Sequence, residues 1–487
     1  MTINKLPDEL LLESFDFYKA YSSLLSPFDD DAVAWHTLVH VCRRWRHVVF
    51  GSPCRLGLRL FCVNKRLVKV LDIWPELPII IRIDDAKIYQ HPSVTNVISV
   101  LKRHNQVCKI LTYQVPNSFL KEVATMSGHF PALIELKIVA SFDQDRTILQ
   151  ISDSFLGGYV PRLRSLSLSG FSFPAIGKLI LSTRDLVYLS LQNSPDSGYI
   201  PPEAMVDILS ALTRLQSLYL NVNIPRYLTH DASRRSPALA RVVLPALTHF
   251  DYWGHSKYLE VIVSRIDAPL NYIDVAFYDE VVFNFDSRLP LLRDFIDRTQ
   301  ILDGPDNLKA YTTFSSFEAK ISFLQRKALG SKVLILKMIF YPQEPQFWLL
   351  AQTLSWLLPP LSNLEYLHIR IEDEADEDQS EEWHHWHEVG NAEWIELLRP
   401  FVSVKDLVID EQFVLTLASV LQELVEEQLT EILPALQNII LKGFKSSSPV
   451  PEGIGEFIAA RELSGRPVVV HHGMRSSCGI KYFPGGR

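Results

Sequence analysis

The chain has 487 residues, which suits two or three domains or one long repeat array. Hydrophobic residues make up 47% and charged residues 21%, enough apolar surface to exclude a disordered polymer. With 48 Lys+Arg against 56 Asp+Glu the net charge is −8, a balance that argues against nucleic acid as a partner.

The five cysteines, Cys42, Cys54, Cys62, Cys108 and Cys478, contain no CxxC pair. An odd, sparse set points to reduced thiols and a cytoplasmic or nuclear location. The first residues carry acids inside their apolar stretch, unlike a secretory signal. No apolar run reaches the roughly 18 residues that cross a bilayer, so no membrane partner is expected.

Residues 1–55 read as helical. Pro7 suits a first helical position, and Asp8 and Glu9 follow where the helix dipole favours acids. Leu11, Phe15 and Tyr18 share one face. A second helix is expected over Ala32–Phe50, carrying Trp35, Leu38, Val39, Cys42, Trp45 and Val49, and closed by Gly51 and Pro53. A segment this short buries little by itself, so it must lean on the rest of the chain or on a partner.

The two halves Leu6-Pro7-x-Glu9-Leu10 with Phe15, and Val41-Cys42-Arg43-x-Trp45-Arg46, resemble an F-box. The gap between them, Lys19 to Ala34, is long for that family and holds Asp29-Asp30-Asp31. The resemblance implies docking on the small Skp-type adaptor of a cullin–RING ubiquitin ligase. Carried onto this chain, the adaptor-binding residues would be Leu6, Pro7, Leu10, Phe15, Val39, Cys42 and Trp45. The alternative is that Phe15 and Trp45 pack against each other or against the first units of a repeat array beyond residue 55.

Residues 56–105 read as a transition, and residues 106–445 as a repeat. The recurring unit is apolar, two residues, apolar, one residue, apolar. Clear copies are Leu163-Leu166-Leu168, Leu186-Leu189-Leu191, Leu215-Leu218-Leu220, Leu364-Leu367-Ile369 and Leu436-Ile439-Leu441. Looser ones begin at Leu133, Leu247, Leu270, Val333 and Val404; Leu308-Tyr311-Thr313 is weak, and Val107-Ile110-Thr112 is a degenerate first copy. The second and third apolar residues lie two apart, which on a strand sends them to one side. Pro131, Pro161, Pro245 and Pro434 stand two residues before the first apolar position and separate return segment from strand. Ala204–Leu212 and Phe347–Leu358 carry helical periodicity between strands.

Fixed spacing within units and steps of 23 to 40 residues between them fit a stacked array with insertions. The pattern resembles leucine-rich repeats, though the Asn that family places after its leucines occurs only as Asn223. The expected fold is therefore α/β: a helical F-box, then a leucine-rich-repeat solenoid or horseshoe with parallel strands on the concave face and helices outside. A doubly wound α/β domain is the alternative. Residues 446–487 read as a cap, with a helix over Gly453–Leu463 and an edge strand over Arg466–Val470.

In such an array, residues between the inward leucines face the concave side. Candidates to bind a client protein are Tyr188, Tyr219, Asp251, Trp253, Tyr272, Asp274, Tyr366, His368 and Arg370, with His249 beside them; aromatics among isolated charges suit protein interfaces. Trp253 alternatively fills space left by an irregular step. Glu372 to Glu382 holds eight acids and no Lys or Arg, so outside it the chain has 48 basic and 48 acidic residues. That run reads as a solvated loop, alternatively a dock for a basic client. The histidines of Trp383-His384-His385-Trp386-His387-Glu388, and His471-His472, lack the four-ligand spacing of a zinc site.

No P-loop, GxGxxG, GxSxG or HExxH is present, and Gly453-x-Gly455 lacks the rest of a phosphate loop. Neither cofactor nor metal is expected. The resemblance implies a non-catalytic receptor that docks a Skp-type adaptor, and through it a cullin, and holds a client. The alternative is a leucine-rich-repeat interaction scaffold without a ubiquitin role.

Overall fold

The computed structural model describes residues 6–25, 34–62, 74–83, 92–103, 105–115, 121–123, 125, 127–140, 149–150, 155–172, 176–192, 199–222, 241–277, 290–302, 308–314, 318–327, 330–339, 364–371, 390–427, 431–444 and 449–473. The expected helix over 347–358, the acidic run 372–382, the histidine cluster after that run and Asn223 lie outside these. The protein is mixed α/β with a mostly parallel sheet. It divides into two compact units, Met1–Tyr227 and Leu228–Arg487.

The first unit opens with three helices, α1 (Asp8–Leu25), α2 (Ala34–Val41) and α3 (Arg43–Gly51). The single helix expected over Ala32–Phe50 is broken at Cys42. That residue is extended (φ −158°, ψ 172°), and its Sγ accepts the Trp45 N–H at 3.4 Å, capping α3. A cap side chain satisfies an orphan donor only if its own backbone leaves the helix. Leu11, Phe15, Trp35, Leu38, Val39, Val48 and Val49 form the bundle core. The Arg44 guanidinium ties the start of α1 to α3, 2.6 Å from Asp8 Oδ1 and also bonded to the Leu6 carbonyl. Trp74 packs on Trp35 with ring centroids 5.2 Å apart. The bundle therefore leans on the segment that leads into the sheet.

The strands of this unit are β1 (Leu60–Cys62), β2 (Ile79–Ile83), β3 (Val107–Val115), β4 (Glu135–Ala140), β5 (Leu149–Gln150), β6 (Ser165–Ser169), β7 (Phe171–Ser172), β8 (Tyr188–Gln192) and β9 (Ser217–Val222). The order β1-β2-β3-β4-β6-β8-β9 is parallel throughout, with β5 and β7 a separate short pair. Residues 56–105, read from sequence as a transition, thus supply two sheet strands and the helix α4 (Pro92–Leu101). The repeat residues align across strands: Leu136, Leu166, Leu189 and Leu218 in one row, Ile138, Leu168, Leu191 and Leu220 in the next. All are at most 2% exposed. Burying each such side chain stabilises by roughly 1.5–3 kcal/mol. Helices α5 (Ile176–Leu181) and α6 (Pro202–Ser210) lie between successive strands, as the periodicity over Ala204–Leu212 suggested.

In four copies the repeat's first apolar residue sits in the turn before the strand. Leu133, Leu163, Leu247 and Leu436 donate their N–H to Phe130, Val160, Leu244 and Leu433 respectively. Pro131, Pro161, Pro245 and Pro434 then occupy the second position of each four-residue turn, where a fixed φ near −65° is wanted.

The second unit contains β10 (Val242–Val243), β11 (His249–Gly254), β12 (Ile266–Asp267), β13 (Tyr272–Phe277), β14 (Leu308–Phe314), β15 (Glu318–Lys327), β16 (Gly330–Ile339), β17 (Leu364–Ile371), β18 (Asp406–Asp410), β19 (Asn438–Lys442) and β20 (Val469–Gly473). Its helices are α7 (Ser256–Arg265), α8 (Pro290–Thr299), α9 (Asn391–Leu398), α10 (Val414–Glu427) and α11 (Glu452–Leu463). The order is β11-β13-β16-β15-β14-β17-β18-β19-β20, with β10 and β12 paired separately. Simple one-after-another stacking fails here. β15 is an unexpected strand, antiparallel to both β14 and β16, and the three stand in reverse order. Three residues join β14 to β15 and two join β15 to β16, too few for the dozen or so a parallel crossover needs.

This insertion shifts the repeat phase. Ala310 and Thr312, not Tyr311 and Thr313, align with Leu367 and Ile369, after a register irregularity at Leu308/Lys309. On β16, Leu334 and Leu336 align with Ile273 and Val275, so the copy read at Val333 is displaced by two residues along the strand. A two-residue slip keeps the inward face and a one-residue slip reverses it. At the C-terminal end α11 forms as expected, while the final strand begins at Val469, after Pro467 rather than across it.

The glycine pair Gly453-x-Gly455 has a packing role. A Cβ at Gly453 would lie 2.3 Å from the Ala418 carbonyl oxygen on α10, whereas one at Gly455 meets nothing within 4 Å. Gly453→Ala is expected to destabilise the chain by about 1–3 kcal/mol. Gly455→Ala should stabilise it by about 0.5–1 kcal/mol through helix propensity. Urea unfolding midpoints that move in the same direction for both would contradict this packing.

Candidate functional site

Strand pleating sends one side of the second unit's sheet towards helices and leaves the other to mainly polar residues. The registers put that polar side in rows. One row runs Asp251, Asp274, Ile335, Ser322, Tyr311, His368. The next runs Trp253, Ala276, Lys337, Lys320, Thr313, Arg370, and a third places His249 beside Tyr272 and Lys309 beside Tyr366. The expected client-binding residues of this unit therefore do share one face: Asp251, Trp253, Tyr272, Asp274, Tyr366, His368 and Arg370. Tyr311, Lys309, Lys320 and Lys337 belong with them and were missed. The signal was the alternation of β14 to β16, hidden by the misphased repeat.

Two clusters stand on this face. In the first, Lys337 Nζ lies 2.8 Å from Asp274 Oδ2 and 5.1 Å from the Trp253 ring centroid. The Tyr272 hydroxyl donates to Asp274 Oδ2 at 3.3 Å, and its ring stacks on His249 at 5.8 Å. Trp253 is half-buried under Lys337, so it holds a cation as well as filling space. Burial, and then the neighbouring Asp274 carboxylate, push the Asp251 carboxyl up to about 7 against the pull of Lys337. Burial lowers His249.

In the second cluster His368, 5% exposed, has Nε2 2.8 Å from Asp410 Oδ1, and Lys442 Nζ lies 3.6 Å from the same oxygen. The Arg370 guanidinium donates from Nε to Thr313 Oγ1 at 3.1 Å and sits 5.5 Å from the Tyr311 ring centroid. Lys309 Nζ is 4.7 Å from the Tyr366 ring. Burial first, then Tyr311, Asp410 and Asp406, push the Tyr366 hydroxyl up to about 12. Cations held over aromatic rings form a pre-ordered surface that loses little side-chain entropy on binding. Among the described residues no three or more His, Cys, Asp or Glu converge to hold a metal ion.

The first unit carries the other expected residues on serine-rich rows: Tyr188 between Ser165 and Ser217, Tyr219 beside Ser190. Both tyrosines are half-buried.

The N-terminal bundle separates its expected docking residues into two groups. Phe15 and Val39 are 1% exposed, and Trp45 packs on Phe15 with centroids 4.8 Å apart. These hold the bundle together. Leu10 is 46% exposed, Pro7 is exposed, and Leu6 and Cys42 are half-buried. The most exposed apolar groups, Phe17 at 78% and Val41 at 55%, were not singled out as docking residues from sequence. Phe17 lies seven residues after Leu10, on the same helix face.

Asp251 makes stability depend on pH. Between about pH 4 and pH 7 the folded chain keeps a proton that the unfolded chain has released, so this residue's contribution falls as pH rises through that window. Asp251→Asn should leave stability unchanged near pH 4 and raise it by roughly 1–3 kcal/mol at pH 8. Urea midpoints at the two pH values check this, and an equal effect at both would contradict it. No helix among the described residues is long and apolar enough to cross a membrane. No protein-family model matches the chain, and a search of curated proteins finds no match.

Proposed function

We propose that the chain is the substrate-recognition subunit of a Skp–cullin–F-box type ubiquitin ligase, with the helical segment docking the adaptor and the polar sheet face holding a client. The observation that carries the reading is the pairing of two different surfaces in one chain. The N-terminal helices leave Leu10, Phe17 and Val41 exposed over a well-formed core, the kind of apolar anchors that dominate interfaces. The sheet face offers aromatic rings beside held charges, the composition of a protein-binding surface. A receptor of this kind works without a catalytic residue, by raising the client's effective concentration at the charged carrier enzyme.

The second reading, a leucine-rich-repeat interaction scaffold without a ubiquitin role, draws on the burial of Phe15 and Val39. Those residues would be needed in any three-helix bundle. The two readings separate on adaptor capture. Leu10→Glu with Phe17→Glu alters exposed positions and should leave the melting temperature near that of the unaltered chain. Under the ligase reading it reduces capture of the chain on an immobilised Skp-type adaptor by at least about tenfold. Adaptor capture absent from the unaltered chain, or undiminished in the double variant, would contradict docking through this surface.

A further inference from the structure

Asp251 and Asp274 stand opposite each other on parallel strands, whose backbones run about 4.8 Å apart. Among the described residues, Lys337 is the cation that faces this pair. It reaches across the small Ala276, neutralises Asp274 Oδ2, and rests on Trp253. The Asp274 side chain is more than nine-tenths buried, and its Oδ1 has no hydrogen-bond partner among the described residues. Asp251, half-buried, accepts no hydrogen bond among the described residues. With Asp251 ionised, two carboxylates against one ammonium leave one negative charge. A buried acceptor without a donor is unfavourable, because it has given up water and gained nothing in return. A further monocation bearing N–H donors, set between the two carboxylates, would remove both the repulsion and the orphan acceptor. A hard divalent ion suits the place poorly, because it wants six or more oxygens and would be repelled by Lys337.

We infer that this place on the sheet face receives the cationic end of a lysine or arginine side chain from a bound polypeptide, held between Asp251 and Asp274 Oδ1 beside the Lys337–Trp253 pair. The inference rests on the sheet face binding a polypeptide and not on the ubiquitin role. Lys337 already shows the arrangement in miniature, an ammonium held by a carboxylate and an aromatic face. The partner's cation would repeat it one strand over.

The test is an array of heptapeptides with varied flanks and Lys, Arg, Gln or Glu fixed at the centre, probed with the labelled full-length chain. Lys- or Arg-centred peptides should be retained roughly tenfold more than Gln-centred ones. Asp251→Asn and Asp251→Ser should each bring the ratio to within about twofold. Both variants are checked for an unchanged or higher urea midpoint. The stronger of the Lys and Arg signals names the end group. Retention that ignores the central residue, or no retention at all, would overturn the inference. So would a basic preference that both variants keep, as holding by the acidic run 372–382 would produce. Adaptor capture on the same preparations reports on the ligase reading separately.

Discussion

In a parallel sheet backed by helices, each strand must send alternate side chains to a dry side, and every other feature of this protein depends on meeting that constraint. The rows Leu136-Leu166-Leu189-Leu218 and Leu367-Leu407-Ile439 form because the pleat has a period of two and the strands are in register. Apolar burial on one side frees the residues between for polar work. His249, Asp251 and Trp253 stand on the polar side because Phe250 and Tyr252 are needed on the other. A surface built this way is rigid, since its side chains project from a hydrogen-bonded sheet and not from loops.

The constraint also explains which parts of the molecule were legible in the sequence. The repeat copies beginning at Leu133, Leu163, Leu186, Leu215, Leu247, Leu270, Leu364, Val404 and Leu436 all lead into strands, because burial demands the same side chain at the same phase each time. The turn prolines were legible for a similar reason: a backbone angle is written directly in the residue type. What was lost is the insertion β14 to β16. Its strands alternate just as well as a repeat strand does, but hairpins replaced the crossover, and alternation alone carries no information about direction or order. The break at Cys42 was hidden because a thiol is a rare cap, and the surrounding residues favour a helix on both sides. Of the site, the polar face was read from the residues between leucines. Its pairings, such as Lys337 with Asp274 or His368 with Asp410, join strands 63 and 42 residues apart and depend on registers no local pattern reveals.

Function, on this reading, divides between two kinds of surface. The N-terminal helices spend Phe15, Val39 and Trp35 on their own core and present Leu10, Phe17 and Val41 outward. The sheet presents held charges on aromatic rings. The net charge of −8 belongs to neither, since the run Glu372 to Glu382 contributes all of it and the remainder is balanced. Under the proposed reading, electrostatic selectivity comes from particular groups, among them the pair Asp251 and Asp274.

The separation of a dry side from an accessible one is tested most directly by single-cysteine labelling along β11 and β17 of the full-length chain, with a polar maleimide and a native background free of reactive thiols. Cysteines at 249, 251, 253, 366 and 370 should label quickly, and cysteines at 250, 252, 367 and 369 only at the rate of unfolding. Uniform labelling, or fast labelling of the second set, would contradict the assignment of faces on which the proposed partner-binding surface depends.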